Sequence, residues 1–115
     1  MEIKERSFEF SVRIVKLCQS VEGSRASTRV LITQLIRSGT SIGANVEEAN
    51  GSQSKADFTA KMYIACKEAR ETHYWLRLFR ATNTIKANRL EDLIDESNQI
   101  VAILTAIVKK AKANK

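Results

Sequence analysis

The sequence has no proline and only four glycines in 115 residues. An all-β sandwich or barrel needs turn-forming residues every ~8–12 positions, so this composition excludes one. Cysteine is scarce as well. Cys18 and Cys66 stand far apart, which provides neither a disulfide framework nor a four-ligand zinc site. With one histidine, His73, the two Glu-x-x-His motifs of a di-iron bundle cannot be assembled. Cys66 and His73 share a helix face, but two turns separate their backbones by ~10.5 Å, too far for a nucleophile–base pair. There is no phosphate loop and no dinucleotide glycine motif. The longest uncharged run, Ser97–Val108, is 12 residues, short of the ~20 that a membrane span needs. The start, Met1-Glu2-Ile3-Lys4-Glu5-Arg6, alternates acid and base without a signal-type apolar stretch. These absences lead to the expectation of a non-enzymatic cytoplasmic protein with reduced core thiols, no cofactor, no metal and no membrane contact.

What is present is helical periodicity. Hydrophobic residues make up 43% of the chain, enough for the core of a single domain spanning 1–115. A first apolar series contains Phe8, Phe10, Val12, Ile14, Val15, Leu17, Cys18 and Val21. It begins with strand-like alternation and settles into helical spacing from Ile14. A second stripe runs through Ile32, Leu35, Ile36, Gly39, Ile42, Gly43 and Val46, after a cap at Ser24 or Ser27. Two glycines inside a helix each cost ~1 kcal/mol relative to alanine. On the apolar face they allow another helix to approach closely. Ser54-Lys55-Ala56-Asp57 has the form of a capping box. It opens a third stripe from Phe58 through Met62, Ala65, Cys66, Ala69, Thr72, His73 and Leu76 to Phe79. A fourth stripe extends from Leu90 to Ala111, with a second capping box at Asn88-Arg89-Leu90-Glu91. The spacing predicts helices over about 7–21, 27–50, 55–81 and 86–112. Short connections make neighbours antiparallel, so the expected fold is all-α, an up-down-up-down four-helix bundle.

The net charge is +6, from 19 basic and 13 acidic residues. Lys109, Lys110, Lys112 and Lys115 hold four of the six excess charges, leaving residues 1–108 at 15 basic against 13 acidic. Such a tail suits the C-terminal pole of a helix, or alternatively contacts phosphates. In the third helix, Lys67, Arg70, Tyr74 and Arg77 follow one face, with Arg80 a turn further on. Cations with an interleaved tyrosine can hold phosphates and stack a base. The alternative is a solvated face neutralised by Glu71 and its neighbours. Ile64, Glu68, Glu71, Trp75 and Leu78 form a second, partly apolar face, for which self-association is one use.

The second helix contains Gln34-Leu35-Ile36-Arg37-Ser38-Gly39-Thr40-Ser41-Ile42-Gly43-Ala44-Asn45-Val46-Glu47-Glu48-Ala49. This string closely resembles the signature of the four-helix bundle proteins encoded within 23S ribosomal RNA intervening sequences. The resemblance continues through Ser54-Lys55-Ala56-Asp57-Phe58, Ile64-Ala65-Cys66-Lys67-Glu68-Ala69-Arg70-Glu71-Thr72 and Tyr74-Trp75-Leu76. It implies an antiparallel four-helix bundle that assembles as a homopentameric ring. In a related branch, the accessory variability determinant of diversity-generating retroelements, a basic pentamer binds reverse transcriptase and nucleic acid. One departure is Glu47 and Ala49 in place of the commoner small residue and glycine around the acid, Glu48.

The candidate nucleic-acid residues are therefore Arg37, Lys67, Arg70, Tyr74, Arg77, Arg80, Lys109, Lys110 and Lys112. Those assigned to an oligomer interface or to the family signature are Ser41, Gly43, Asn45, Glu48, Glu68 and Trp75. Glu68, Asn45 and Glu48 are expected to meet Arg37 or Arg70 across helices or subunits. Five copies would multiply the charge to +30, which favours structured RNA or DNA as partner. A protein-interaction scaffold is the competing class.

Overall fold

A computed structural model describes residues 1–114; Lys115, one of the tail lysines, lies outside the described residues. The elements in chain order are α1 (Ile3–Gln19), α2 (Ala26–Asn50), α3 (Lys55–Ala81) and α4 (Glu91–Ala113), with a single 3-10 turn at Ala87–Arg89 before α4. They form an antiparallel four-helix bundle of 48 × 22 × 20 Å. Each helix packs on its chain neighbours, and α1 closes the square against α4 through a sparser contact. No helix among the described residues is long and apolar enough to cross a membrane.

The predicted stripes supply the core. Ile14, Leu35, Ile42, Val46, Leu76, Phe79, Ile100 and Leu104 are completely buried. Burial of each such side chain contributes ~1.5–3 kcal/mol. Local chemistry sets the ends. Ser54 caps α3 as expected, its hydroxyl accepting from the Asp57 amide at 3.1 Å. Glu91 and Asp92 occupy the first turn of α4, where carboxylates favour the positive pole of the helix.

Three helix starts differ from the sequence expectation. α1 starts at Ile3 and not near residue 7. The Phe8–Phe10–Val12 alternation is not strand: Phe10 faces the core while Phe8 and Val12 face outward, 58% and 37% exposed. The inward position one turn before Phe10 is the buried Ser7, whose hydroxyl donates to the Lys4 carbonyl at 3.1 Å. α2 begins at Ala26 behind Arg25, and neither Ser24 nor Ser27 caps it. α4 begins at Glu91 and not at residue 86, because the chain spends Ala87–Arg89 in the 3-10 turn; Asn88 makes no cap.

The glycine-bearing face of α2 does what the sequence suggests. A Cβ built on Gly39 would lie 2.9 Å from Ile14 Cγ2, and one on Gly43 would lie 3.2 Å from the Ser7 carbonyl oxygen. α1 and α2 therefore touch almost backbone to backbone. Ile14 is β-branched and fully buried, so it cannot swing aside. Gly39→Ala and Gly43→Ala are expected to lower stability by about 1–3 kcal/mol in urea titrations, despite the better helix propensity of alanine. Gly51→Ala meets nothing nearer than 3.7 Å and is expected to be neutral or slightly stabilising.

Candidate nucleic-acid interface

α3 is 27 residues long and carries its charges on separate sides. At 100° per residue, Tyr63, Lys67, Arg70, Tyr74 and Arg77 fall within an arc of roughly 80°, while Lys61, Glu68 and Glu71 lie toward the α2 side. On that side the acids are engaged. Arg37 reaches from α2 to Glu68 at 3.0 Å and also to Glu71. Glu71 further accepts from Trp75 Nε1 at 3.0 Å. Lys61 pairs with Glu48 at 3.3 Å. Thus Glu68 meets Arg37 as expected, whereas Glu48 takes Lys61 and Arg70 takes no acid. Asn45 turns back onto its own helix, donating to the Ser41 carbonyl at 2.8 Å with the Ser41 hydroxyl 3.1 Å away. Gly43 is spent inside the chain against α1.

Glu71 is therefore not the neutralising partner of the outward cations. Among the described residues, no ion pair holds Lys67, Arg70 or Arg77. Two of the three stand beside aromatic rings. Lys67 Nζ stands 5.7 Å from the centre of the Tyr63 ring, and Arg77 Cζ 6.0 Å from that of Tyr74. Tyr74 meets Trp75 edge-on, with centroids 5.1 Å apart. Both tyrosines are about half exposed, and they lie roughly 16 Å apart along the helix.

The lysine tail joins this face in part. α4 returns its C-terminal end to the start of α3, where Lys112 Nζ sits 5.2 Å from the Tyr63 ring. Lys55 donates to the Asn114 carbonyl at 3.3 Å. Between them lies a groove of about 640 Å³, floored by Ala56, Ala60 and Ala111 and flanked by Lys55, Tyr63 and Lys112, with no acid in its lining. Lys110 is roughly 200° round the helix from Lys112 and so faces elsewhere; Lys109 is exposed. Arg80 bridges to Glu91 of α4 at 3.2 Å. Arg37 and Arg80 thus brace the bundle through ion pairs, and on the outward face of α3 the cations without an ion pair among the described residues are Lys67, Arg70 and Arg77. Tyr63 is the residue that sequence reasoning missed. Its signal was its position four residues before Lys67 and three turns before Tyr74.

Other chemistry is quiet. Burial pushes the Cys18 thiol up to about 11, so it stays protonated. Cys66 Sγ lies 3.4 Å from the Thr105 hydroxyl across the α3–α4 seam. No group of metal-ligating side chains occurs among the described residues.

The fold and this face define a small helical-bundle protein with a basic, aromatic outer helix. The profile of the 23S rRNA-intervening sequence protein matches residues 1–106, and the chain belongs to that family. It is similar to the crystal structure of a protein of unknown function from the S23 ribosomal protein family of Bacteroides thetaiotaomicron VPI-5482. Identity is 44%, the TM-score is 0.86, and the match covers 94% of this chain and 99% of that one. No curated protein matches the chain.

His73 borders the basic face. Its pKa is lowered first by desolvation, then by the charges of Arg77 and Arg80. The unfolded chain takes up a proton at the ordinary value near 6.5 while the folded chain does not. The histidine's contribution to stability is thus intact at higher pH and is eroded as pH falls through that value toward the folded pKa. Melting curves across this window should show a smaller decline for His73→Gln than for the parent; an identical decline would remove His73 from the account.

Proposed function

We propose that this protein is a non-enzymatic, self-associating bundle of the cytoplasm that binds RNA on the outward face of α3. The observation that carries this reading is the set of unpaired cations, Lys67, Arg70 and Arg77, interleaved with exposed Tyr63 and Tyr74. Cations of this kind contact phosphates, and tyrosines stack unpaired bases at ~1–3 kcal/mol each. Lys112 and Lys55 extend the same surface from the bundle end. Self-association, as a pentamer, repeats the face around a ring and converts a modest charge per chain into multivalent attraction. Apolar surface for such contacts is present at Ile64 on α3 and at Phe8, Val12 and Ile36 on the α1–α2 side, all more than a third exposed. That same apolar surface favours the second reading, a scaffold that docks another protein.

Fluorescence anisotropy with a structured RNA, taken across a salt series, tests the proposal. Affinity should fall steeply with salt, and each of Lys67→Ala, Arg70→Ala and Arg77→Ala should flatten the slope by about 1. Tyr63→Ala and Tyr74→Ala should weaken binding with the slope unchanged. Absence of binding at low salt would sink the RNA reading, and a monomer by light scattering at micromolar concentration would undo the ring.

A further inference from the structure

The opposite end of the bundle, where the α1–α2 and α3–α4 connections meet, holds a second polar cavity, of about 580 Å³. We propose that it binds a phosphate group, either inorganic phosphate or the terminal phosphate of a nucleic-acid strand. This site is separate from the α3 face, and either can fail without the other.

Three observations converge. First, the cavity is bordered by Arg25, Lys86 and Arg89 against a single acid, Glu22, and no ion pair among the described residues engages any of the four. Second, it contains the start of α2. The amides of Ala26, Ser27 and Thr28 have no backbone acceptor, and no side chain caps them. The carbonyl ends of α1 and α3 in the same region are covered: the Leu17 carbonyl accepts from the Ser20 amide and hydroxyl, and the Phe79 carbonyl accepts from the Thr84 amide. The end thus offers more donors than it pairs within the chain, with Glu22 the one opposing acid, a balance that suits an oxyanion.

The third observation is Thr28 itself. Among the described residues five polar side chains are buried: Ser7, Thr28, Ser38, Thr72 and Ser97. Four of them make hydrogen bonds within the chain. Thr28, only 6% exposed, makes none. Among the described residues no unpartnered side-chain oxygen is sealed from solvent, so the Thr28 hydroxyl opens on the cavity that Thr28 lines. Solvent reaches the hydroxyl there, and a phosphate oxygen beside the α2 amides would give it a fixed partner in place of water. The volume accommodates a phosphate with its attached group.

Titration of the full chain with sodium phosphate at constant ionic strength, followed by amide chemical shifts, reads the site. Saturable binding in the millimolar range or tighter is expected, with the largest shifts at Ala26, Ser27 and Thr28. Thr28→Val and Arg25→Gln should each weaken it about tenfold, the loss expected for one charge-assisted hydrogen bond, and Glu22→Gln should tighten it. Because the Thr28 hydroxyl supports nothing within the chain, Thr28→Val should melt no lower than the parent, so lost binding cannot be blamed on lost fold. A 5′-phosphorylated and a 5′-hydroxyl oligoribonucleotide separate the two sources. Preference for the phosphorylated strand over free phosphate assigns a strand end, and equal affinity assigns the free ion. Lack of saturable binding, or binding that Thr28→Val and Arg25→Gln leave unchanged, overturns the proposal.

Discussion

The close approach of α1 to α2 at Gly39 and Gly43 is the constraint on which the rest of the bundle depends. At Gly43 the Ser7 backbone itself comes into contact, and at Gly39 the Ile14 side chain fills the space a Cβ would need. Ser11 Oγ, 3.0 Å from the Ser7 carbonyl and 3.4 Å from that of Gly39, shows how little room remains. On its other side α1 touches α4 much less than it touches α2. A charged contact holds this sparser seam. Arg6 grips Glu96 through two nitrogens, at 2.7 and 3.0 Å, and also donates to Gln99. Both charged groups are about one-fifth exposed, a setting in which a bidentate pair has fixed geometry and is less screened than a surface pair.

The same packing logic sorts the charges of α3. Placing α2 beside α3 brings Arg37 and Lys61 into range of Glu68, Glu71 and Glu48, and these pairs consume the acids of the shared groove. What remains on the outer arc is cationic because its acids have been drawn to the side. The net charge of +6 therefore understates the local character of this face.

Much of the bundle was legible because one periodicity dominates each helix. The α3 stripe, its serine cap and its length could all be placed from spacing alone. The start of α1 could not, because its first fully buried residue is Ser7, a small polar residue whose backbone lies against Gly43. The start of α4 was displaced by a 3-10 turn whose cause is tertiary: Leu90, in the position of the helix cap, is fully buried. The roles of Arg37 and Arg80 were hidden for a different reason. Their partners lie on other elements, so only the relative rotation of the packed helices decides whether a cation is free or paired. Lys112 over Tyr63 is likewise a contact between sequence positions 49 apart, and no spacing rule reaches that far.

The helix starts carry a further lesson. In an antiparallel bundle each end holds two amino and two carboxyl poles, so backbone dipoles largely cancel and side chains decide the local field. α1, α3 and α4 each have an acid in the first turn, and α3 has its serine cap as well. α2 has neither. In a stable bundle, a start left without an acid and rimmed by arginine and lysine is a local conflict that its own chain does not resolve. Such conflicts gather where a protein meets something outside itself. The conflict at α2 could be seen in Arg25-Ala26-Ser27-Thr28-Arg29 as a helix start without an acid. Its meaning needed the fold, which sets Lys86 and Arg89 across from it and leaves Thr28 with no partner of its own.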